Sequence, residues 1–290
     1  MAKNAAAKPV PKETSYEYGA KSQEKMLKKY LNRANNHWSE RIQCAKDLLE
    51  SYARPHLGGR ENADIFVVDV GCSVGTFALE FSRDGFRTVG VDFDKAAVAI
   101  AEDLAKQDSL GATFRCMDLA DWQGNDLPAI DVAVCFDIFE HLHDDEIGAL
   151  MLSLRRAMAP NGRMIFSTTP TQYSYLWSGA GMRVKVTRFL AYSMRWLSRG
   201  AYEKWIMLLD ALVNIAMILK YGKTRTQLLK RDKHCNTLTL ERVRDILLRA
   251  NWQVDAIETC NLHRERFHHL KKLERHPITH THILGAATPK

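Results

Sequence analysis

Apolar residues follow two rhythms along this chain. Between residues 22 and 52, Met26, Tyr30, Leu31, Trp38, Ile42, Ala45, Leu48 and Leu49 recur every three or four positions among charges, the period of an amphipathic helix. Asn35-Asn36 marks a break in it, and Pro55 with Gly58-Gly59 ends it. Continuous apolar runs then alternate with amphipathic ones. Strands are predicted at 65–70, 87–92, 112–118, 130–137 and 162–169, and helices at 76–83, 95–106 and 145–158. Strands that are apolar at every position are buried on both faces, as in a parallel sheet with helices on each side.

After Pro170 the rhythm stops. It resumes with a helix over 239–250, a strand over 252–259 and a last apolar strand over 282–287. The pattern therefore predicts an α/β fold: a doubly wound, mostly parallel seven-stranded sheet, with an N-terminal helix and a helical insertion after strand five. Residues 1–21, rich in Lys, Ala and Pro, have little to bury and are expected to be a disordered basic tail. Residues 22–290 are expected to form one domain, with 171–233 as the insertion. Within that insertion the apolar run 205–219 is shorter than the roughly 20 residues a bilayer span needs. It is a buried helix, a lid or an interfacial helix.

Charge sharpens the picture of the insertion. The chain carries a net +7, yet residues 183–233 alone hold 12 Lys/Arg against 3 acids, a local +9 that leaves −2 for the rest. A nucleic-acid partner is disfavoured, since the α/β portion lacks a positive field for phosphates. An anionic membrane surface met through 183–233 fits better. Six scattered cysteines without a CxxC pair argue against a disulfide framework or zinc ribbon and for a reducing compartment. The N-terminus has no apolar stretch of the secretory kind, so a cytoplasmic protein, peripheral at the inner membrane face, is expected.

The densest chemical signal is VVDVGCSVGTFALEF followed by VGVDFD. Gly71 and Gly75 permit a sharp turn and close approach of a ligand, and the first amides of the next helix face that ligand. Asp92 ends the second strand, where a carboxylate can accept from both ribose hydroxyls. An adenosine-containing cofactor follows. The pyrophosphate cradle GxGxxG would need glycines where Ser73 and Thr76 stand, which weighs against a dinucleotide.

Asp69, Gly71 and Gly75, with Ser73 in place of the middle glycine, resemble motif I of class I S-adenosylmethionine methyltransferases. FRCMDLADW resembles that family's adenine segment, VAVCFDIFEHLHD its fourth strand and edge, and LRRAMAPNGRMIFSTTP its fifth-strand segment. The resemblance implies the strand order 3-2-1-4-5-7-6 and S-adenosylmethionine as cofactor. It also implies a cofactor site of Asp69, Gly71, Cys72, Gly75, Asp92, Phe93, Met117, Asp118, Leu119, Phe136 and Asp137. In it Asp118 would accept from the adenine amine between Met117 and Leu119, while Phe136 and Asp137 would approach the methionine part.

Catalysis points to His141 and Glu140, just past strand four, at the edge where ligands of such sheets bind. Methyl transfer is an in-line displacement at a sulfonium, and a base is needed to unmask an oxygen or nitrogen nucleophile. His141 has the pKa for that role. Two other readings of these residues stay open. Asp137 and Glu140 can form a helix capping box with His141 merely packing. Alternatively, Asp137, Glu140 and His141 resemble the divalent-ion site of ubiquinone-pathway O-methyltransferases and small-RNA 2′-O-methyltransferases, with His234 completing it. A divalent metal is thus left uncommitted. The His-rich stretch from His263 to His282 is expected at the solvated surface. The acceptor is expected to be a small molecule or lipid-linked, quinone-like or glycan in kind, and methylated on oxygen. The alternatives are a soluble small-molecule methyltransferase and a non-catalytic S-adenosylmethionine-binding protein.

Overall fold

The computed structural model describes residues 20–35, 37–117, 127–177, 181–224, 234–262 and 273–290. Its sheet has seven strands: β1 (Phe66–Val70), β2 (Arg87–Asp92), β3 (Thr113–Cys116), β4 (Ile130–Phe136), β5 (Met158–Thr168), β6 (Trp252–Cys260) and β7 (His282–Pro289). Their order is β3-β2-β1-β4-β5-β7-β6, as the family resemblance implies. The first five strands run parallel, and β7 joins β5 and β6 antiparallel. β1 and β4 are buried at every residue, which explains their unbroken apolar sequence. β5 starts at Met158, not 162, because Ile130 pairs with Met158 before the register shifts and resumes at Val132 with Arg163.

Helices α3 (Thr76–Arg83), α4 (Lys95–Gln107), α5 (Asp144–Ala157) and α8 (Leu240–Arg249) flank the sheet. One face of it packs Leu150, Met151 and Leu154 of α5 with Val243 and Leu247 of α8. On the other face the N-terminal helix is split into α1 (Ala20–Leu31) and α2 (His37–Leu48), with the break where the Asn pair predicts it. Trp38, Ile42, Ala45 and Leu48 of α2 close the core over Val67, Val132 and Val134. Tyr30 and Met26 of α1 pack with Val98 and Ala101 of α4.

The insertion contributes α6 (Met182–Ser193) and α7 (Arg199–Tyr221) around their own core of Leu176, Trp177, Ala191, Tyr202, Ile206 and Leu209. α7 is longer than the apolar run that announced it. Among the described residues no helix is long and apolar enough to cross a membrane. Two described members of the His-rich stretch depart from the expected surface position. His276 and His282 are almost fully buried, because His282 opens a strand flanked on both sides and His276 lies stacked on Tyr202. His263, His268 and His269 lie outside the described residues.

Candidate active site

The turn after β1 is built from backbone that only certain residues tolerate. Gly71 and Gly75 have φ of +73° and +81°, in the left-handed region. Ser73 also sits there, at φ +49°, so the residue replacing the middle glycine retains a glycine-like conformation. The turn is tied to β2 by Gly71 N and Cys72 N, both donating to Val91 O at 2.8 and 3.0 Å. A Cβ at Gly71 would meet Ile138 and one at Gly75 would meet Phe114, each at 2.7 Å. These glycines thus make room for the protein's own side chains as well as for a turn.

Asp92 ends β2 and is almost fully buried. Its Oδ2 accepts from Ser73 N at 2.7 Å and its Oδ1 from Asp94 N at 2.9 Å. Each oxygen keeps a lone-pair direction beyond the one its amide uses, as a pair of vicinal hydroxyls requires. Burial raises its pKa. Asp69 lies at the bottom of the turn, where burial pushes its carboxyl up to about 7 while its Oδ2 accepts from Ala78 N at 3.1 Å. That bond corrects one expectation: at least one first-turn amide of α3 is taken by Asp69, not left for a ligand. Asp94 caps α4 and accepts from Gln23 of α1 at 3.1 and 3.2 Å, which lashes the N-terminal helix beside the Asp92 end.

The remaining cofactor candidates fall as follows. Phe93 is half exposed beyond Asp92, Cys72 is buried, and Met117 is half buried with its N–H donating to Asp92 O at 2.8 Å. Phe136 packs its ring into the core 4.8 Å from that of Phe77, so only its backbone stands at the strand end. Asp118 and Leu119 lie outside the described residues.

At the end of β4 the chain turns through Asp137, at φ +56°, into a single 3-10 turn, Phe139–His141. The capping box lies elsewhere than the Asp137/Glu140 alternative: α5 starts later, and Glu146 accepts from His143 N at 2.8 Å. Glu140 is instead fully buried, accepting from Thr168 Oγ1 at 2.9 Å, with its Oε1 lacking a hydrogen-bond partner. Burial raises its pKa and the neighbouring His141 opposes that rise. His234, at φ +83°, places its ring 5.0 Å from that of His141. Burial, aided by the charges of His141 and Arg41, lowers its pKa to about 4, so it is neutral at working pH. Ligand atoms of Glu140, His141 and His234 all lie within 4.8 Å of one another.

Asp137 does not join that cluster. It forms an ion pair with Arg41 of α2, a buried guanidinium whose pKa burial lowers to about 10. Arg41 Nε and Asp137 Oδ1 are both buried without a hydrogen-bond partner. Sequence reasoning missed Arg41, Thr168 and Asn236. Asn236 donates from Nδ2 to Leu142 O and Asp144 Oδ1 at 2.9 and 3.1 Å, and from its backbone to Glu140 O, holding the His234 segment against the turn. The signal for Arg41 was a charge on the apolar stripe of an amphipathic helix, three positions after Trp38 and four before Ala45. Thr168 and Asn236 carried none.

A family model described as a methyltransferase domain matches residues 38–257. A curated relative, the ubiquinone biosynthesis O-methyltransferase of Alkalilimnicola ehrlichii, is 28% identical over 155 residues, 51% of this chain and 61% of the relative. Its counterpart from Bradyrhizobium diazoefficiens is 26% identical over 137 residues, so the chain spans about half to three-fifths of the curated relatives it matches. Among solved structures, an S-adenosylmethionine-dependent methyltransferase from Clostridium acetobutylicum superposes with a TM-score of 0.55 at 12% identity, covering 93% of this chain and 99% of that one.

Proposed function

This chain belongs to the methyltransferase-domain family, and from that premise we propose that it moves the methyl group of S-adenosylmethionine to an acceptor hydroxyl held at Glu140, His141 and His234. The carrying observation is the meeting of those three side chains at the carboxyl edge of β4. The acceptor oxygen attacks the methyl carbon, the carbon–sulfur bond breaks, and S-adenosylhomocysteine leaves. The hydroxyl proton passes to His141 Nδ1 or Nε2, and Glu140, fixed by Thr168, stabilises the imidazolium that forms. The name of the relatives supports oxygen as the methylated atom and a quinone-like or lipid-linked acceptor.

The cofactor's zwitterionic end finds matching chemistry in Arg41 and Asp137. The orphaned Asp137 Oδ1 suits an ammonium and Arg41 Nε suits a carboxylate, while Asp92 faces the ribose. A second reading rests on the same cluster: a carboxylate with an orphaned oxygen and a neutral imidazole beside His141 form a donor set that fits a divalent cation. Such an ion would supply Lewis acidity toward the acceptor oxygen.

Calorimetry with S-adenosylhomocysteine and single-turnover methylation of a catechol test these assignments. Asp92→Asn is expected to weaken binding by about 1–3 kcal/mol. His141→Ala is expected to lower turnover about 10²- to 10⁴-fold with binding intact. Loss of activity on chelation, restored by a divalent cation, selects the metal reading; activity that survives chelation selects His141 as base. Full turnover in a folded His141→Ala protein refutes both.

A further inference from the structure

We propose that the α6–α7 part of the insertion docks on the surface of an anionic phospholipid bilayer. α7 is apolar on two sides. Tyr202, Ile206, Leu209 and Val213 are buried in the insertion's core. At about 100° per residue, Met207, Leu208, Leu212, Ile215 and Leu219 fall within an arc on the opposite side, and these are 49–83% exposed. A helix of a soluble domain puts charged and polar residues on that side. α6 repeats the feature with Met182, Val186 and Phe189 at i, i+4 and i+7, exposed by 48–74%. Trp196, 74% exposed, stands in the connection between the two helices. Exposed apolar stripes of this kind mark a binding face.

Charge identifies what binds there. Within residues 181–224 there are eight Lys/Arg and two acids. The acids offset only part of that charge: Glu203 pairs with Arg199 at 3.1 Å, Asp210 is buried, accepting from Tyr175 Oη and Asn214, and the segment keeps a net +6. Lys204 is exposed within the apolar arc, and Lys220 and Lys223 are exposed at the C-terminal end of α7. A second copy of this chain would present the same positive rim, so a symmetric pairing would set like charges against each other. An anionic headgroup layer complements the rim, accepts the apolar side chains at the acyl boundary and suits Trp196 and Tyr221 at its polar edge.

The insertion is also placed to use such a surface. It leaves the body after β5, whose Thr168 holds Glu140, and its described return begins at His234 in the same cluster. Docking stands on this face alone, whichever atom is methylated, and its test reads binding, not turnover.

The full chain is sedimented with vesicles of equal parts phosphatidylcholine and phosphatidylglycerol, and with phosphatidylcholine alone. Binding is expected only to the anionic vesicles and is expected to weaken with salt. Each near-surface lysine contributes about fivefold to affinity, so Lys204→Gln, Lys220→Gln and Lys223→Gln together are expected to lower it about a hundredfold. Leu212→Ser with Ile215→Ser, both at exposed positions, is expected to abolish binding while leaving the melting temperature unchanged. Binding that ignores lipid charge, or that survives both sets of substitutions, overturns the proposal. So does a chain that ignores vesicles, whether monomeric or dimeric by light scattering; a dimer abolished by Leu212→Ser and Ile215→Ser would assign the face to a second copy.

Discussion

Two residues of the site, the buried Asp69 and the half-buried His234, titrate in opposite directions, and their opposition is measurable. His234 is held down to about 4 by burial against a free value of 6.5. The unfolded chain therefore takes up the proton first on acidification, and stability is lost as pH falls from about 6.5 toward 4. Asp69 is pushed up to about 7 from 3.8, so the folded state holds its proton more tightly. Its contribution is lost as pH rises across that window, and the two slopes offset each other between about 4 and 6.5. In urea unfolding with chelator present, His234→Gln is expected to lose about 1–2 kcal/mol less than the parent between pH 7 and 5. Asp69→Asn is expected to lose more than the parent over the same interval. Parallel curves for parent and both variants would show that neither side chain carries the burial assigned to it. At this scale the sequence yielded the residue types but not their partners. His141, Glu140 and His234 were legible because a turn after a strand edge and a downstream histidine form a recognisable set. The pairing of Asp137 with Arg41 was not, since it joins positions far apart in sequence through a helix whose visible periodicity concerned only its apolar face.

At the scale of elements, a glycine that no motif explains sets how β2 and β3 meet. Gly90 lies mid-strand in β2, and a Cβ there would stand 2.6 Å from the ring of Phe114 in β3 and 2.8 Å from Cys72 Sγ. The same ring fills the space over Gly75, so Phe114 wedges between the cofactor turn and the second strand. Gly90→Ala is expected to destabilise the protein by about 1–3 kcal/mol through overpacking. Phe114→Leu in the same chain is expected to recover part of that loss, giving a favourable coupling in a double-mutant cycle. Additive losses would mean that the ring is not what limits position 90. Strands and helices themselves were legible in the sequence wherever burial imposes a period: β2 and α3 have the predicted bounds. Boundaries strayed where local geometry intervenes, as at β5, whose early start depends on a pairing partner and a register shift that no single segment encodes. The 3-10 form of the Phe139–His141 turn was unreadable for a similar reason, because Thr168 and Asn236 hold it from other parts of the chain.

Among the described residues, the sheet and the insertion hold separate cores joined through a few segments. The main sheet packs its two faces with α2, α5 and α8, whereas α6 and α7 close on Trp177 and Tyr202. One tie runs through His276, whose ring stacks on Tyr202 at 3.9 Å between centroids. Its Nε2 lies 2.8 Å from Arg195 O, in the connection between α6 and α7, and Arg275 Nη2 donates to the same carbonyl. Another is the bridge of Thr171 to Leu238, with Gln172 N donating to Leu238 O at 3.0 Å. A surface expected from histidine composition became an interior joint because imidazole offers both a stacking face and a polar ring atom for a buried partner. Units with separate cores and few ties open separately, each with its own free energy. His276→Ala removes the buried stack on Tyr202 and opens a cavity beside it, a loss of about 2–4 kcal/mol concentrated at the insertion. Hydrogen exchange is expected to show faster exchange of the amides of α6 and α7, with β1, β4 and β5 unchanged. Limited proteolysis is expected to cut first within residues 181–224, leaving the sheet intact. If protection fell equally across β1, β4 and α7, the insertion and the sheet would form one cooperative unit, and His276 would be a residue of the common core.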